Sequence, residues 1–236
     1  MAITIKQGKP KDMFKEISSI VDECFEGVWS PEDLSQLIDI PHESQIFLVA
    51  FAGEKPVGYA YIVVDYYDTV DTKIATIQEL GVLPKYRESD IASDLIENAI
   101  KFSKASNAEL LEQVVSSIDQ WLIPTLVTKQ LKPSEIKADR EISSFNEAKL
   151  ILDNIKKNPK INVIMNQLFF ETNNELETHM IESEYDFDEI TRKDPIAFGS
   201  IISVNKADEL ENTLNELRNI DIEWDEIGIT FDYILQ

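Results

Sequence analysis

The sequence predicts an α/β (α+β) protein. Segments with alternating apolar residues, which are typical of strands, are interleaved with segments whose apolar residues recur at helical spacing. Over the first 135 or so residues their order is β-α-α-β-β-β-α-β-α. Two of the strand segments are joined by Gly53-Glu54-Lys55-Pro56, a turn sequence that predicts an antiparallel hairpin.

The strand and the two helices predicted at the N-terminus are inferred from the residues at which they begin. Residues 2–6 are β-like, and Pro10 suits the first turn of a helix that runs to about residue 25. A second helix begins after Ser30, the predicted N-cap, with Pro31 in its first turn and Asp33 near the positive end of the helix dipole. One strand followed by two helices is therefore expected.

The middle of the chain carries the predicted sheet. Strands are expected at residues 45–52, 57–65 and 73–83. A helix is expected from residue 91 to 103, because Leu95, Ile96, Ala99 and Ile100 recur at helical spacing. A strand at 109–115 and a helix at 118–130 follow, with Pro124 predicting either a kink or a late start of that helix.

A second domain is predicted for the C-terminal part, so that residues 1–142 form one domain and residues 143–236 another. After a strand at 134–142, Ser144 and Glu147 form a capping box for a helix through about residue 157. Strands at 160–170, 185–190, 196–204 and 220–235 alternate with helices at 173–182 and 206–219, and a bulge or turn is expected at Asp225-Glu226. The order β-α-β-β-α-β is ferredoxin-like.

The net charge and the few Cys and His residues limit the classes of partner and of metal site that the chain can have. The 236 residues include 44 acidic and 22 basic side chains, a net charge of −22, which repels nucleic acid and anionic membranes and favours cationic partners. One cysteine, Cys24, and two distant histidines, His42 and His179, exclude a disulfide framework and a Cys/His metal site. Without a signal sequence or an apolar membrane span, the chain is expected to be cytoplasmic. The oligomeric state stays open, a homodimer included.

Residues 77–92 are the stretch around which the chain is organised. A strand ends at Pro84 and a helix begins at about Ile91, so the first N–H groups of that helix point into the turn. Together with Arg87 they predict an anion site. The alternative for Arg87 is a surface arginine beside acidic neighbours.

This stretch resembles the core motif of the Gcn5-related N-acetyltransferase (GNAT) family, a strand "Leu-x-Val-x-Pro-x-Tyr-Arg" followed by a loop "Arg-x-x-Gly-x-Gly/Ala". Leu80, Val82, Pro84, Tyr86 and Arg87 match, and Ala92 is permitted at the last position. The resemblance implies an acyl-CoA N-acyltransferase fold with a mixed central sheet over residues 2–135. The C-terminal part is then either ferredoxin-like or a degenerate second GNAT-like half.

The resemblance also implies a function. The family binds acetyl-CoA and transfers its acetyl group to a primary amine, here of a small molecule or of a basic peptide or protein. No metal is needed. The positions that match the cofactor-binding part of the motif are Leu80, Gly81, Val82, Arg87, Glu88, Ser89, Asp90, Ile91 and Ala92.

Glu79 is the candidate catalytic base. An amine with a pKa near ~10.4 is protonated at neutral pH, so a carboxylate or an ordered water must remove a proton before attack. Glu79 precedes Leu80 and so points away from Leu80 and Val82, and family members often carry a base on this strand. The alternatives are a solvated strand residue and the ion-pair partner of a lysine.

Two positions depart from the family pattern. Asp90 stands where the family has its first glycine, and as a helix N-cap it would compete with a pyrophosphate for the same N–H groups. In the family's Asn-x-x-Ala-x-x-x-Tyr-x-x-x-Gly-Phe pattern, laid on residues 119–131, Leu126 takes the place of the tyrosine that protonates the thiolate. The second hypothesis is therefore a catalytically degenerate GNAT-fold protein that serves in ligand sensing or protein interaction.

Overall fold

The computed structural model describes residues 3–25, 27–116, 119–141, 147, 150, 167–172, 178–181, 195–204, 206–219 and 224–235. The chain divides into two compact units. The first comprises residues 1–114, 121–131 and 231–236, and the second comprises residues 115–120 and 132–230. The predicted domain boundary between residues 142 and 143 stays a prediction.

The first unit has a mixed α/β fold, as predicted. Its strands β1–β5 and helices α1–α5 follow the expected order, except that three helices instead of two lie between β1 and β2. In sequence they are β1 (Ile3–Gly8), α1 (Pro10–Ser18), α2 (Val21–Cys24), α3 (Pro31–Asp39), β2 (Ser44–Ala52), β3 (Lys55–Tyr67), β4 (Thr72–Val82), α4 (Ile91–Ala105), β5 (Leu110–Ser116) and α5 (Ile123–Thr128).

The sheet of this unit has the strand order β1-β2-β3-β4-β5, and the end of the last strand of the chain lies beside β5. The pairs from β1 to β4 are antiparallel, whereas β4 and β5 are parallel. The sheet is therefore mixed, because α4 supplies the crossover that a parallel pair needs. Gly53, with φ +68°, makes the tight turn of the β2–β3 hairpin.

Helices cover both faces of the sheet. A Cβ atom built on Gly58 would lie 3.2 Å from Ile91 at the start of α4, whereas one built on Gly81 would lie 3.0 Å from Cys24 in α2. Helix α4 covers one face of the sheet with its apolar side, whose buried residues are Ile91, Ala92, Leu95, Ile96 and Ala99. The side chains of β4 thus point alternately toward α4 and toward α2.

The predicted helix over residues 10–25 is wrong in one respect, since it is two helices. Near the end of α1 the hydroxyls of Ser18 and Ser19 donate to the carbonyls of Lys15 and Glu16 at 3.1 and 2.7 Å. Such local bonds compete with the helical pattern. Ile20 then takes φ −127°, outside the helical range, before α2 begins at Val21.

Helix α5 begins at Ile123 with Pro124 in its first turn, so the late start that Pro124 suggested is confirmed. It ends in a Schellman motif, in which the N–H of Leu131 donates to the carbonyl of Leu126 and the N–H of Gln130 to that of Val127. Gln130 has φ +68°, at the position that the family fills with glycine. The left-handed conformation is unfavourable for a glutamine.

Replacing Gln130 with glycine is expected to raise the free energy of unfolding by about 0.5 to 1 kcal/mol, because glycine adopts a positive φ without a Cβ penalty. Asn107, at φ +57° after α4, provides the matched control. Asparagine tolerates this conformation, so Asn107→Gly should gain less. Urea unfolding measures both; a Gln130→Gly variant no more stable than the wild type would contradict the assignment.

The described residues of the second unit form strands and a helix. They are β6 (Lys132–Glu141), β7 (Gln167–Thr172), β8 (Thr178–Ile181), β9 (Pro195–Ser203), α6 (Ala207–Arg218) and the beginning of β10 (Glu226–Ile234). Their order in the sheet is β10-β6-β9-β7-β8. Leu210, Leu214 and Leu217 of α6 are buried, as the helical spacing predicted.

One prediction for this unit is wrong. The expected helix at 173–182 includes Thr178–Ile181, which is strand β8 and pairs with β7 from Leu168 to Glu171. Cross-strand pairing here outweighs the local helical pattern. The expected strand at 185–190 and the helix at 144–157, apart from residues 147 and 150, lie outside the described residues.

Candidate active site

A β-bulge in β4 sets the direction of Glu79. In the β3–β4 pairing Tyr61 lies opposite Glu79 and Ile62 lies opposite Ile77, so Gln78 is an extra residue without a partner on β3. An extra residue reverses the alternation of side chains along the strand. As a result Glu79 lies on the same face as Tyr59 and Tyr61, whereas a regular strand would have placed Gln78 there.

The Glu79 carboxylate is held by a buried tyrosine. The Tyr59 hydroxyl donates to Glu79 Oε2 at 2.8 Å, and the Tyr59 side chain is fully buried. Its ring makes edge contacts with Phe25 and Phe47, with centroids 6.3 and 6.0 Å apart. Because those contacts fix the ring, the hydroxyl fixes the orientation of the carboxylate. Glu79 itself is half-buried, so part of its side chain is exposed.

A second tyrosine extends the polar groups on this face. The Tyr61 hydroxyl donates to Gln45 Oε1 at 2.5 Å. Burial, with a smaller contribution from the negative charge of Asp65, raises the pKa of Tyr61 well above its ordinary value. Asp65 in turn accepts from His42 Nδ1 at 2.6 Å. Tyr61 therefore stays a neutral hydrogen-bond donor over the whole physiological pH range.

Leu80, Gly81 and Val82 contribute their backbone to the site. Leu80 and Val82 are buried on the face that α4 covers, so their side chains are not available to a ligand. At Gly81 a Cβ would come within 3.0 Å of both Cys24 and the Tyr59 ring. This close approach favours glycine, because a Cβ atom here would need Cys24 or the Tyr59 ring to shift by a few tenths of an ångström.

Strands β4 and β5 separate beside these residues. They pair only from Ile74 to Ile77 on β4 and from Leu110 to Gln113 on β5, although β4 continues to Val82. Residues 79–82 are paired with β3, and no strand pair among the described residues covers the other edge of residues 78–82. We call the opening between residues 78–82 and residues 113–114 the fork. The backbone edge of residues 78–82, on which the Val82 carbonyl already accepts from Arg87 Nε at 3.3 Å, is not covered by another strand and suits an extended ligand with amide groups.

The loop after β4 is a tight turn made without glycine. Residues Pro84–Tyr86 form a 3₁₀ turn, and Ser89 is tied back to Tyr86 by its N–H at 3.0 Å and its hydroxyl at 2.5 Å. None of residues 84–92 has a positive φ. The scarcity of glycine is therefore no obstacle to this loop, because the turn uses conformations open to every residue.

Asp90 takes the N-cap position of α4, as predicted, but its side chain makes no capping hydrogen bond. The competition between its carboxylate and an anion for the same N–H groups is thus absent from this conformation. Its φ and ψ, −72° and +3°, differ from the extended backbone of a usual N-cap, which explains the missing bond. Asp90 and Glu88 are both exposed, and Ile91 and Ala92 are buried.

Arg87 bonds to two backbone carbonyls. Its Nη2 donates to the carbonyl of Cys24 at 2.7 Å and its Nε to that of Val82 at 3.3 Å. The guanidinium also lies over the Trp121 ring, 5.0 Å from the ring centroid. Arg87 thereby connects the end of α2 to the end of β4 and to the residues before α5. Its role toward a phosphate stays a prediction.

The position expected to carry the family's proton donor holds Leu126, which is fully buried. Sequence reasoning singled out Glu79 but missed Tyr59, Gln78 and Gln113 as parts of the site. Tyr59 could have been found, because it lies on a strand beside the predicted Glu79 strand. The bulge at Gln78 carries no local signal, since glutamine has no special preference for bulges.

Within the described residues, no three His, Cys, Asp or Glu side chains come together in a way that could hold a metal ion. None of the helices in the described part of the chain is both long and apolar enough to cross a membrane.

Several solved structures resemble the chain. An acetyltransferase of the GNAT family from Streptococcus pneumoniae is 20% identical, with a TM-score of 0.46, over 61% of this chain and 90% of its own. NAA60 from Arabidopsis thaliana, in complex with acetyl-CoA, is 16% identical, with a TM-score of 0.46, over 58% and 88%. An aminoglycoside acetyltransferase from an uncultured soil metagenomic sample, in complex with sisomicin, is 18% identical, with a TM-score of 0.45, over 54% and 87%.

The family assignment depends on the sequence itself. No curated protein matches the chain. The model of the acetyltransferase (GNAT) family matches residues 14–121. That range contains α2, the bulged strand β4, the loop after it and helix α4, the elements that form the site described above. Residues 14–121 are therefore a GNAT acetyltransferase domain.

Proposed function

We propose that the protein is an acetyl-CoA-dependent N-acetyltransferase that acts on a primary amine. The observation that carries the proposal is the Glu79 carboxylate, held by the Tyr59 hydroxyl at 2.8 Å beside the fork of a GNAT domain. The backbone edge of residues 78–82 would bind the extended arm of the cofactor. The N-terminus of α4, which the Asp90 side chain leaves uncapped, would face its pyrophosphate.

Acetyl-CoA supplies an acetyl group already activated as a thioester. Glu79 takes one proton from the ammonium group, and the neutral nitrogen then bonds to the acetyl carbon as the carbon–sulfur bond breaks. The second proton that the nitrogen loses passes to the departing thiolate or to solvent. Tyr59 keeps the carboxylate in place throughout. A thiol with a pKa near ~8.5 leaves without a general acid, so Leu126 at the expected donor position does not prevent the reaction.

The acceptor is proposed to be cationic, either a small amine or a basic peptide. The net charge of −22 raises the local concentration of cations and repels acidic substrates. Initial rates with a polyamine, a basic peptide and an acidic amino acid compare the classes. A preference for the acidic compound would overturn this part of the proposal.

A second candidate is a ligand-binding protein that has lost catalysis. The buried Leu126 favours it, because the site then lacks a side chain to protonate the thiolate. The two candidates agree on cofactor binding and differ on turnover. Binding of acetyl-CoA without release of free thiol in the presence of any amine would support the second candidate.

The test is calorimetric titration of the wild-type chain with coenzyme A and acetyl-CoA, together with thermal unfolding. At a cofactor concentration of 100 times Kd, stability should rise by about 2.7 kcal/mol. Absence of both heat and thermal shift at millimolar cofactor would overturn the proposal.

Two charge variants in the same titration test the contact with the pyrophosphate. Asp90→Asn should tighten coenzyme A binding about two- to fivefold, because a like charge near the phosphates is removed from an exposed position. Glu88→Gln is the matched control, since Glu88 is also exposed but lies three residues before the start of α4. The same change in both variants would indicate a general charge effect, contrary to a specific site at the helix N-terminus.

A further inference from the structure

Gln113 lies at the base of the fork. It is the last residue of β5 to pair with β4, opposite Ile77. The next residue on β5, Val114, is 55% exposed, whereas Gln113 itself is only 3% exposed. A polar side chain is thus buried where the two strands separate.

The amide of Gln113 is only partly satisfied. Its Nε2 donates to the carbonyl of Val114 at 2.8 Å. Its Oε1 is buried and has no hydrogen-bond partner among the described residues. The bond to Val114 fixes which end of the amide is which, because turning it over would bring two oxygens together. A buried acceptor without a donor costs about 1 to 3 kcal/mol.

We propose that Gln113 Oε1 accepts a hydrogen bond from a secondary amide N–H of the ligand that enters the fork. This inference rests on the proposed function, in which that ligand is acetyl-CoA. The pantetheine arm has two secondary amides, whereas the thioester offers no N–H or O–H donor. An amide N–H is thus the group near the reacting end that fits an unpartnered oxygen. Gln113 is then a positioning residue that sets the depth of the arm in the fork.

The inference predicts effects of opposite sign on stability and on binding. Gln113→Met has nearly the same shape but no unsatisfied oxygen, and relief of that oxygen should outweigh the loss of the bond to the Val114 carbonyl, which contributes about 1 kcal/mol. The variant should therefore unfold at higher urea concentration than the wild type. Its affinity for coenzyme A should fall about two- to twelvefold. If Gln113 had only a structural role, the substitution would not raise the stability to urea and at the same time lower the affinity for coenzyme A.

Gln45→Met is the matched control for stability. Gln45 Oε1 accepts from the Tyr61 hydroxyl, so this variant loses a satisfied oxygen and leaves a donor without a partner. It should therefore be less stable than the wild type, whereas Gln113→Met should be more stable. A loss of stability in both variants would contradict the assignment of Gln113.

A change in the ligand identifies the donor. Two analogues of coenzyme A, each with one pantetheine amide N–H replaced by an ester oxygen, are titrated against the wild type and Gln113→Met. One analogue should bind the wild type less tightly, and that difference should disappear in the variant. If an analogue loses the same affinity, relative to coenzyme A, for the wild type and for Gln113→Met, the inference about Gln113 is overturned. The same holds if both proteins bind coenzyme A equally well, and neither result bears on the proposed function. A wild type that binds no coenzyme A would overturn the proposed function as well. The analogues also probe the wild-type chain directly, even if the variant fails to fold.

Discussion

Replacing Glu79 with glutamine is expected to lower kcat for acetyl transfer by about 10²- to 10⁴-fold at neutral pH, the usual contribution of a general base. Glutamine has the same shape and can still accept from the Tyr59 hydroxyl, which lies 2.8 Å from Glu79 Oε2. The change thus removes the base with little disturbance of the fold. Release of the free thiol of coenzyme A measures the rate.

The pH dependence of the variant separates a base from a structural residue. With an amine pKa near ~10.4, the fraction of neutral amine rises as the pH rises toward that value. Glu79→Gln should therefore recover much of its lost activity at high pH, since the amine no longer needs a base. Tyr59→Phe serves as the control, because it keeps the carboxylate and loses only its hydrogen bond. A constant ratio of wild-type to Glu79→Gln rates across pH would exclude the catalytic role.

Replacing Arg87 with alanine is expected to lower the free energy of unfolding by about 2 to 3 kcal/mol. The guanidinium donates to the carbonyl of Cys24 at 2.7 Å, and a hydrogen bond that involves a charged group contributes about 1.5 to 3 kcal/mol. The bond to the Val82 carbonyl at 3.3 Å is longer and contributes less. Its contact with the Trp121 ring is lost as well. Urea unfolding in the absence of coenzyme A measures the change.

Arg87→Lys is the matched control. A lysine keeps the charge but cannot reproduce the planar set of donors, so it should recover only part of the stability. If Arg87 acts mainly on a phosphate, the outcome differs, because alanine would then weaken coenzyme A binding and leave the unfolding transition unchanged. That second pattern would contradict a structural role for the bonds to Cys24 and Val82.

Much of the fold was predictable because local signals and tertiary structure agree. Ser30 and Pro31 mark the start of α3, where Ser30 and Asp33 form a reciprocal capping box. The apolar spacing of Leu95, Ile96 and Ala99 gave α4 its buried side. The failures occurred where side chains compete with regular structure, as at Ser18 and Ser19, or where pairing between strands decides, as at Thr178–Ile181.

The site was predicted only in part. The direction of Glu79 relative to Leu80 was correctly inferred from alternation, since the two are adjacent. The partners of Arg87 could not be inferred, because Cys24 lies 63 residues away and offers a backbone carbonyl, which no sequence motif records. The unpartnered oxygen of Gln113 depends on where the strand pairing stops, and that is a property of the whole sheet.

The extra residue in β4 exchanges the two faces of the sheet between the odd-numbered and the even-numbered residues of the strand. Up to Ile77 the α2 face carries the even-numbered residues, and from Glu79 onward it carries the odd-numbered ones. The side chain that β4 places on the α2 face is thus set by the number of residues between Thr76 and Glu79. A relative that lacks the extra residue must carry its carboxylate at the position of Gln78 to reach the same face. Alignments of this strand by apolar alternation alone would miss that equivalence.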